Sequence, residues 1–405
     1  MIELQDIEKA LPRVRKVAVE TPFSYAPRLS EESGYDVFLK KENLQTTGSF
    51  KIRGAFNKIA SLGEEERAKG VVAASAGNHA QGVALGAKYF GIPATIVMPE
   101  TTPLTKVDGV KSYGAEVVLH GSNYDEAYAY AVKFAQKEGR VFVHPFADDD
   151  VIAGQGTIAL EILRQCGDDK PDAVLVPVGG GGLISGIAVA VKALSPKTKV
   201  IGVAAEGAPA MKLSFDARKP IDTTGVRTIA DGIAVRDTSP KTLDYILRYV
   251  DDIVLVSDDE IANAILYLLE KQKLVVEGAG AVGVAALIHR RLELPEEAKV
   301  VTVLSGGNID VTMLSVIIEK GLVKSYRKMK LVVTLLDKPG SLMRLTEILK
   351  EAQANIVQIG YDRTSLDLKF GDAYVSIALE TKGKEHQQLI KKLLHDNGYR
   401  FEEEH

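Results

Sequence analysis

The chain has 405 residues, which is too many for one hydrophobic core and predicts two or three domains. Hydrophobic residues make up 46% and charged residues 26%, and the net charge of −4 favours neither nucleic acid nor an anionic membrane as a partner. No apolar run approaches the ~20 residues of a membrane span, and the first residues carry charges, unlike a signal peptide. The single Cys166 cannot form an internal disulfide, so we expect a cytoplasmic protein.

Short runs rich in Val and Ile alternate with helix-period segments through most of the chain. Runs of strand length lie at 70–75, 94–100, 115–121, 172–182, 199–207 and 299–308. Because these runs lack polar alternation, they are typical of strands buried on both faces, and their alternation with helices predicts parallel sheets in an α/β architecture. Residues 257–274 predict a helix that begins with a capping box formed by Ser257 and Glu260.

The character of the sequence changes after a basic connector at 321–330, GLVKSYRKMK. The segments that follow predict strand, helix, strand, strand, helix and strand, which is the pattern of a small ferredoxin-like α+β unit. Their polar alternation is typical of a sheet with one face covered by helices. We therefore place a domain boundary near 325–330.

Three glycine-rich stretches follow predicted parallel strands: SAGNHAQG at 75–82, VGGGGLISG at 178–186 and LSGGN at 304–308. Ligands of open α/β sheets bind beyond the carboxyl ends of the strands, so this placement predicts a site. Four consecutive glycines before a helix allow backbone N–H groups to converge on an anion such as phosphate. On this stretch alone, a tight strand–helix turn explains the glycines equally well.

A separate stretch, EGAGAVG at 277–283, matches the dinucleotide-binding pattern G-x-G-x-x-G. A long predicted helix ends just before it, which leaves little room for the strand that such a site requires. The acidic residue expected about twenty positions later is also missing. We interpret this stretch as a close-packed turn.

Lys51 lies between Phe50 and Ile52, with Gly48 and Gly54 nearby. Burial lowers the pKa of an amine and makes it a nucleophile near neutral pH, while the glycines leave room for a planar ring at the backbone. A lysine, a phosphate cradle and no metal cluster together indicate pyridoxal 5′-phosphate held as a Schiff base. On composition alone, a partly buried structural lysine is the alternative.

Four motifs, SFKIRGA, SAGNHAQG, VPVGGGGLISG and LSGGN, occur in the order and spacing of the threonine dehydratases. The chain resembles this family of fold-type II pyridoxal-phosphate enzymes, also called threonine ammonia-lyases, which includes serine racemase and serine dehydratase. The resemblance implies a catalytic domain at 1–325 with two open, mostly parallel sheets flanked by helices. It further implies a small subdomain at about 48–150, a large subdomain at 1–47 and 151–325, and a regulatory ACT domain at 329–405.

The resemblance also implies roles for individual residues. Lys51 would carry the cofactor and act as the base for the Cα proton. Further cofactor contacts would come from Phe50, Asn78 at the ring oxygen, Gly179, Gly180, Gly181, Gly182 and Leu183 at the phosphate, and Ser305 at the pyridine nitrogen. The substrate carboxylate would bind the loop formed by Ser75, Ala76, Gly77, Asn78 and His79.

Threonine would thereby lose water and ammonia to give 2-oxobutanoate, and serine would give pyruvate. Serine racemase carries a second serine where this chain has Ala76, so we expect elimination without appreciable racemisation. Divalent-activated relatives use an acid like Glu206 together with a second acid a few residues later. Because Lys212 stands at the second position here, we expect its ammonium to replace the cation and no metal to be required.

The C-terminal unit resembles a single ACT domain, which implies an amino-acid effector and pairing through sheets into a homodimer or homotetramer. The predicted effector contacts are Asp337, Gly340, Ser341, Leu342, Asn355 and Ile356. Isoleucine or valine is the biosynthetic expectation, and a unit that only stabilises an oligomer is the alternative. Two other functions stay open: a serine or 3-hydroxyaspartate dehydratase of the same fold, and an amino-acid sensor with a silent catalytic domain.

Overall fold

The computed structural model describes residues 1–404, and these form two compact units, Met1–Ile309 and the chain from Asp310 onward. The helix Val311–Lys324, which includes the first residues of the basic connector, groups with the second unit. The boundary near 325–330 and the subdomain limits stay predictions. Among the described residues, no helix combines the length and apolarity that crossing a bilayer requires.

The strands supply three sheets. In chain order, β1 to β14 are Phe23–Tyr25, Asp36–Lys40, Val71–Ala74, Ala94–Met98, Glu116–Leu119, Val141–Phe142, Ala173–Pro177, Lys199–Ala205, Asp252–Val256, Lys299–Val303, Lys328–Leu336, Asn355–Asp362, Asp372–Glu380 and Arg400–Glu404. Each of the six predicted runs between 70 and 308 contains one of these strands. The strands β1, β2, β6 and β9 were not named from the sequence.

The helices of the described chain connect and cover these strands. In chain order, α1 to α16 are Leu4–Val14, Pro27–Ser33, Lys51–Ser61, Glu64–Lys69, Asn78–Phe90, Leu104–Lys111, Tyr124–Glu138, Asp149–Gln165, Gly182–Leu194, Ala210–Ala217, Pro240–Tyr249, Asp258–Tyr267, Gly278–Ile288, Val311–Lys324, Ser341–Glu351 and Lys384–Asp396. The predicted capping box is present at α12, because the Glu260 N–H donates to Ser257 Oγ over 3.3 Å and the Ser257 N–H to Glu260 Oε2 over 2.8 Å.

The first unit contains two sheets, ordered β1-β2-β10-β7-β8-β9 and β5-β4-β3-β6. Every pairing is parallel except that of β1 with β2. Strands β3, β4 and β7 are buried along their whole length, which explains their uninterrupted apolar sequences. Because parallel strands need a crossover between neighbours, helices cover both faces and the strand-to-helix loops gather at one edge of each sheet.

The second unit contains an antiparallel sheet ordered β12-β13-β11-β14. Along β11, Met329, Leu331, Val333 and Leu335 are buried and alternate with more exposed residues. The buried side chains pack against Leu345 and Leu349 of α15 and against Ile390 and Leu394 of α16. Both parts of the predicted fold class are thereby confirmed: mostly parallel α/β sheets and a ferredoxin-like α+β unit.

Candidate active site

A cavity of about 850 Å³ lies in the first unit, at the carboxyl ends of β3, β7 and β10. All three glycine-rich stretches that follow these strands contribute to its lining, as does the start of α3. The structure therefore brings together the predicted cofactor and substrate residues, which are far apart in the sequence. They line the cavity together: Phe50, Lys51, Ser75, Ala76, Gly77, Asn78, His79, Gly179, Gly180, Gly181, Gly182, Leu183 and Ser305.

Lys51 is the first residue of α3, and its side chain points into the cavity. Its Nζ donates a hydrogen bond to the carbonyl oxygen of Pro145 over 3.0 Å. Burial lowers the pKa of Lys51 to about 8, and the Glu277 carboxylate opposes part of that shift. Because the carbonyl partner carries no charge, burial outweighs the carboxylate, and a pKa of about 8 leaves a fraction of the amine neutral near neutral pH.

The tetraglycine loop joins β7 to α9, and Gly181 is the N-cap of that helix with a φ of 85°. A Cβ on Gly180 would lie 2.4 Å from the ring of Phe146, so a larger residue would displace this wall of the cavity. The first N–H groups of α9 have no acceptors within the helix. They face the cavity with the positive end of the helix dipole, which is an arrangement suited to phosphate.

The loop from Ser75 to Gly77 joins β3 to α5, which begins at Asn78. Its conformation is held by a hydrogen bond from the Gly77 N–H to Ser75 Oγ of 3.2 Å. The start of α5 provides a second set of N–H groups directed at the cavity, suited to a carboxylate. His79 Nε2 lies 2.8 Å from the carbonyl oxygen of Val143, and burial lowers the pKa of His79 to about 3, so the imidazole is neutral.

Ser305 follows β10 and joins the floor of the cavity to the helix that carries the lysine. The Phe50 N–H donates to the Ser305 carbonyl oxygen over 3.0 Å, and Ser49 pairs with Gly306 in an isolated bridge. Ser305 is buried, 2% exposed, and contributes to the cavity wall. The backbone contacts therefore hold Ser305 and Lys51 in a fixed relation although the sequence separates them by 254 positions.

The interpretation of EGAGAVG as a close-packed turn was wrong, because Gly278–Ile288 is helix α13. Its glycines do permit close approach: a Cβ on Gly283 would lie 2.1 Å from Thr302 Oγ1 on β10. Sequence reasoning also missed Glu277, the N-cap of this helix, which lines the cavity and accepts a hydrogen bond of 2.8 Å from Asn78 Nδ2. No local sequence signal marked this acid, because its contact with Asn78 spans 199 positions and is created by the fold.

Of the residues predicted for cation replacement, Glu206 follows β8 and Lys212 lies in the first turn of α10. Lys212 Nζ is 2.8 Å from Asp216 Oδ1, one turn along the same helix, while Glu206 is exposed just after β8. Neither residue lines the cavity. The expectation that the lysine ammonium substitutes for a divalent cation stays a prediction.

The predicted effector residues occupy two places in the second unit. Asp337, Gly340, Ser341 and Leu342 form the turn from β11 to α15, where Asp337 accepts from the Tyr361 hydroxyl over 3.1 Å. Asn355 and Ile356 begin β12, whereas Tyr361 is near its end. Six residues of strand extend about 20 Å, so one chain holds the two groups at opposite ends of the sheet.

The cavity suits the predicted cofactor on chemical grounds. A lysine amine with a lowered pKa can condense with an aldehyde, and the glycine N–H groups at a helix start complement a phosphate. Its walls include aromatic side chains, among them Tyr128 and Phe146, that can exclude water from a planar ring. The residues present therefore fit pyridoxal phosphate.

Comparison with known proteins points to the same class. The family model described as pyridoxal-phosphate dependent enzyme matches residues 14–306. An L-threonine ammonia-lyase of Thermotoga maritima is 50% identical over 401 residues, which covers 98% of each chain. That alignment extends through the second unit as well as the first.

Solved structures agree with this match. Threonine deaminase isoform 2 of Solanum lycopersicum has a TM-score of 0.73 and 40% identity, covering 78% of this chain and 87% of its own. Maize serine racemase has a TM-score of 0.74 and 35% identity, covering 80% of this chain and 99% of its own. The fold and site define a pyridoxal-phosphate-dependent enzyme, and the chain belongs to the family of the threonine ammonia-lyases. The predicted resemblance, cofactor and enzyme class are confirmed.

Proposed function

We propose that the protein converts L-threonine into 2-oxobutanoate and ammonia, and L-serine into pyruvate and ammonia. The substrate loses a proton from Cα and the hydroxyl group from Cβ, which together make one water molecule. The resulting enamine becomes an imine, and hydrolysis of the imine consumes one water molecule and releases ammonia. The net change is therefore loss of ammonia. The observation that carries the proposal is the Lys51 amine, which enters the cavity with a lowered pKa and a carbonyl as its hydrogen-bond partner.

Pyridoxal phosphate, when bound, supplies the electron-withdrawing ring that makes the Cα proton of an amino acid removable. Gly179 to Leu183 would hold its phosphate through N–H groups at the start of α9. Ser305 would face the pyridine nitrogen, and its neutral hydroxyl could not hold a positive charge there as a carboxylate would. Asn78 would donate to the ring oxygen. These assignments rest on the shared cavity lining.

Two groups of this chain would act on the substrate itself. The Lys51 amine would take the Cα proton, because its lowered pKa keeps a neutral fraction available near neutral pH. The N–H groups at the start of α5, after Ser75, Ala76 and Gly77, would hold the substrate carboxylate and so orient the Cα–H bond toward the lysine. The aromatic walls would keep bulk water from this proton.

Ala76 separates the proposed activity from racemisation. An alanine methyl group can neither give nor take a proton, so no base stands at this position on the face of the substrate opposite Lys51. Since a positioned acid or base contributes about 10²- to 10⁴-fold, we expect D-serine to form at least roughly a hundredfold more slowly than pyruvate. Chiral chromatography of the reaction mixture measures this ratio, and comparable rates of both products would contradict the proposal.

The substrate preference can be decided by parallel assays. We expect ketoacid release to be most efficient, by kcat/KM, with L-threonine, then L-serine, and least efficient with 3-hydroxyaspartate. A reversed order would make the protein a serine or 3-hydroxyaspartate dehydratase of the same fold. A purified protein without a cofactor absorption band and without activity on any of the three would instead support the silent sensor.

We further propose that the second unit binds an amino-acid effector, for which isoleucine and valine are the candidates. Asp337 and Asn355 lie at opposite ends of the sheet in one chain, so a single ligand touching both would require a second chain, in a homodimer or homotetramer. The cytoplasm is the compartment that we propose. Thermal shift measurements against the twenty amino acids test the effector, and no shift with any of them would favour a purely stabilising unit.

A further inference from the structure

Glu277 is a buried carboxyl group in the wall of the active-site cavity. It is only 4% exposed and forms the N-cap of α13, where its backbone N–H donates to the Gly306 carbonyl oxygen over 3.0 Å. The chain makes room for its side chain, because a Cβ on Gly306 would lie 2.3 Å from Glu277 Oε1. Burying a carboxyl group is costly unless it is paired or hydrogen-bonded. The Glu277 carboxyl group accepts hydrogen bonds from Asn78 Nδ2 and from the backbone N–H of Asn308.

A chain of hydrogen bonds fixes which end of the Asn78 amide faces Glu277. Asn308 Nδ2 donates to the carbonyl oxygen of Thr47 over 2.8 Å and to Asn78 Oδ1 over 2.7 Å. A backbone carbonyl only accepts, so the Asn308 atom facing it must be the nitrogen. Both hydrogens of that nitrogen are then used, and Asn78 must present its oxygen to Asn308 and its nitrogen to Glu277.

The assignment of these donors and acceptors leaves one N–H of Asn78 without a partner among residues 1–404. Asn78 Nδ2 carries two hydrogens, and Glu277 Oε1 accepts one of them over 2.8 Å. Asn78, Glu277 and Asn308 all line the cavity. The remaining hydrogen is thus available as a donor to a ligand, and rotation of the amide would replace it with an acceptor.

We propose that Glu277 is a positioning residue, which acts through Asn78 by holding its carboxamide so that an N–H rather than a carbonyl oxygen is presented to the cofactor. The inference deepens the proposed function and rests on it. Burial raises the pKa of Glu277 to about 7, against the hydrogen bond from Asn78. Both protonation states keep an acceptor oxygen, so the orientation of Asn78 persists on either side of that pH.

Two substitutions of similar volume distinguish the effect of losing the hydrogen-bond acceptor from the effect of losing side-chain volume. Glu277→Gln retains an amide oxygen for Asn78, whereas Glu277→Met removes every strong acceptor. In the holoenzyme we expect Gln to leave the visible absorption band and the dissociation constant for pyridoxal phosphate close to wild type. We expect Met to shift the band and to lower kcat by roughly tenfold to a hundredfold, the effect of one strong hydrogen bond.

A double-substitution cycle with Asn78→Ala distinguishes positioning from a merely structural role. If Glu277 acts through Asn78, adding Glu277→Met to Asn78→Ala changes neither the band nor the cofactor dissociation constant further. Full additivity of the two effects would overturn the proposal, as would a wild-type band in Glu277→Met. Melting temperatures of all variants report whether each is folded.

Asn308→Ala tests the same chain from its exposed end if Glu277→Met does not fold. It removes the donor to Asn78 Oδ1 but leaves Glu277 as the acceptor for Asn78 Nδ2, so we expect a band closer to wild type than that of Asn78→Ala. A band equal to that of Asn78→Ala would overturn the proposal, because Asn308 rather than Glu277 would then orient the carboxamide. If the wild-type holoprotein lacks a cofactor band altogether, the proposed function fails. If the wild-type band is normal and the Glu277 variants leave it unchanged, only this inference fails and the proposed function stands.

Discussion

Lys51 and Arg53 lie two residues apart in the first turn of α3, and both cations are removed from bulk water, but their partners differ in kind. Lys51 donates to a neutral carbonyl of Pro145. Arg53 forms ion pairs with Glu42 over 2.8 Å and with Glu161 over 2.7 Å. Burial acting alone would lower the pKa of Arg53, and the two carboxylates instead hold that pKa above its ordinary value. One helical turn therefore carries a lysine whose pKa is lowered by burial and an arginine whose charge is compensated by two carboxylates.

The difference shows how one helix can combine stability with reactivity. The network around Arg53 also includes Lys40, whose Nζ is 2.6 Å from Glu161, so its two cations balance two carboxylates. Such a network holds the helix against its neighbours. Lys51 projects from that rigid support into the cavity, where burial lowers the pKa of its amine.

The largest expected effect follows from removing the uncompensated cation. Lys51→Ala should lower the rate of 2-oxobutanoate formation by roughly 10³-fold or more, because both the nucleophile and the Cα base are lost. Lys106→Ala is the matched control, since this lysine also lines the cavity but pairs with Asp231 over 3.3 Å. A ketoacid assay measures both, and equal losses in the two variants would contradict the distinction.

For the free energy of unfolding, we expect substitution of Arg53 to have a larger effect than substitution of Lys51. Arg53→Met leaves Glu42 buried without its ion-pair partner and Glu161 with Lys40 alone, and should reduce the free energy of unfolding by about 3–5 kcal/mol. Lys51→Met removes an uncompensated charge and should leave stability unchanged or raise it. Denaturant unfolding of the cofactor-free proteins tests this pair, and a larger loss in Lys51→Met than in Arg53→Met would break the comparison.

The pH dependence of cofactor capture follows from the lowered pKa. Only the neutral amine attacks an aldehyde, so the rate at which cofactor-free protein recaptures pyridoxal phosphate should rise with pH through a midpoint of about 8. Glu277→Gln should lower that midpoint, because the carboxylate that favours the charged amine is gone. Stopped-flow absorbance gives the profile, and a midpoint near the ordinary lysine value of 10.5 would show that the amine is not desolvated.

The smallest expected effect concerns Lys212, a compensated lysine outside the cavity. If its ammonium replaces a divalent cation, chelation with EDTA should leave the threonine activity unchanged. Lys212→Ala should lower kcat/KM by only roughly two- to fivefold, as expected for a partly exposed charge pair. Loss of activity on chelation, restored by Mg²⁺, would show that the protein does use a metal.

Much of the fold could be predicted from the sequence, because burial of a strand and the conformation of a loop depend on residues that are adjacent in the chain. Apolar runs such as Val71–Ala74 and Ala173–Pro177 are buried on both faces, and the glycine-rich stretches follow them because strand-to-helix loops gather at one edge. Strands Asp36–Lys40 and Asp252–Val256 were missed. They are short and only partly buried, and they are defined by pairing with strands distant in the sequence.

The cavity residues also divide into those marked by their sequence neighbours and those defined by contacts distant in the sequence. Lys51 and the tetraglycine loop stand out by their immediate neighbours, so the sequence selected them as candidates, and both line the cavity. Glu277 does not: its importance comes from a contact with Asn78 across 199 positions, which no spacing rule encodes. The glycines after it matched a dinucleotide pattern, yet their role is to let α13 approach β10.

The most direct test of this description is to reduce the holoprotein with borohydride and to locate the modified lysine by peptide mass spectrometry. We predict that the pyridoxyl group is attached to Lys51, which has the lowered pKa. Attachment to Lys106, the other lysine in the cavity lining, or the absence of any adduct would contradict the assignment of Lys51 as the reactive amine.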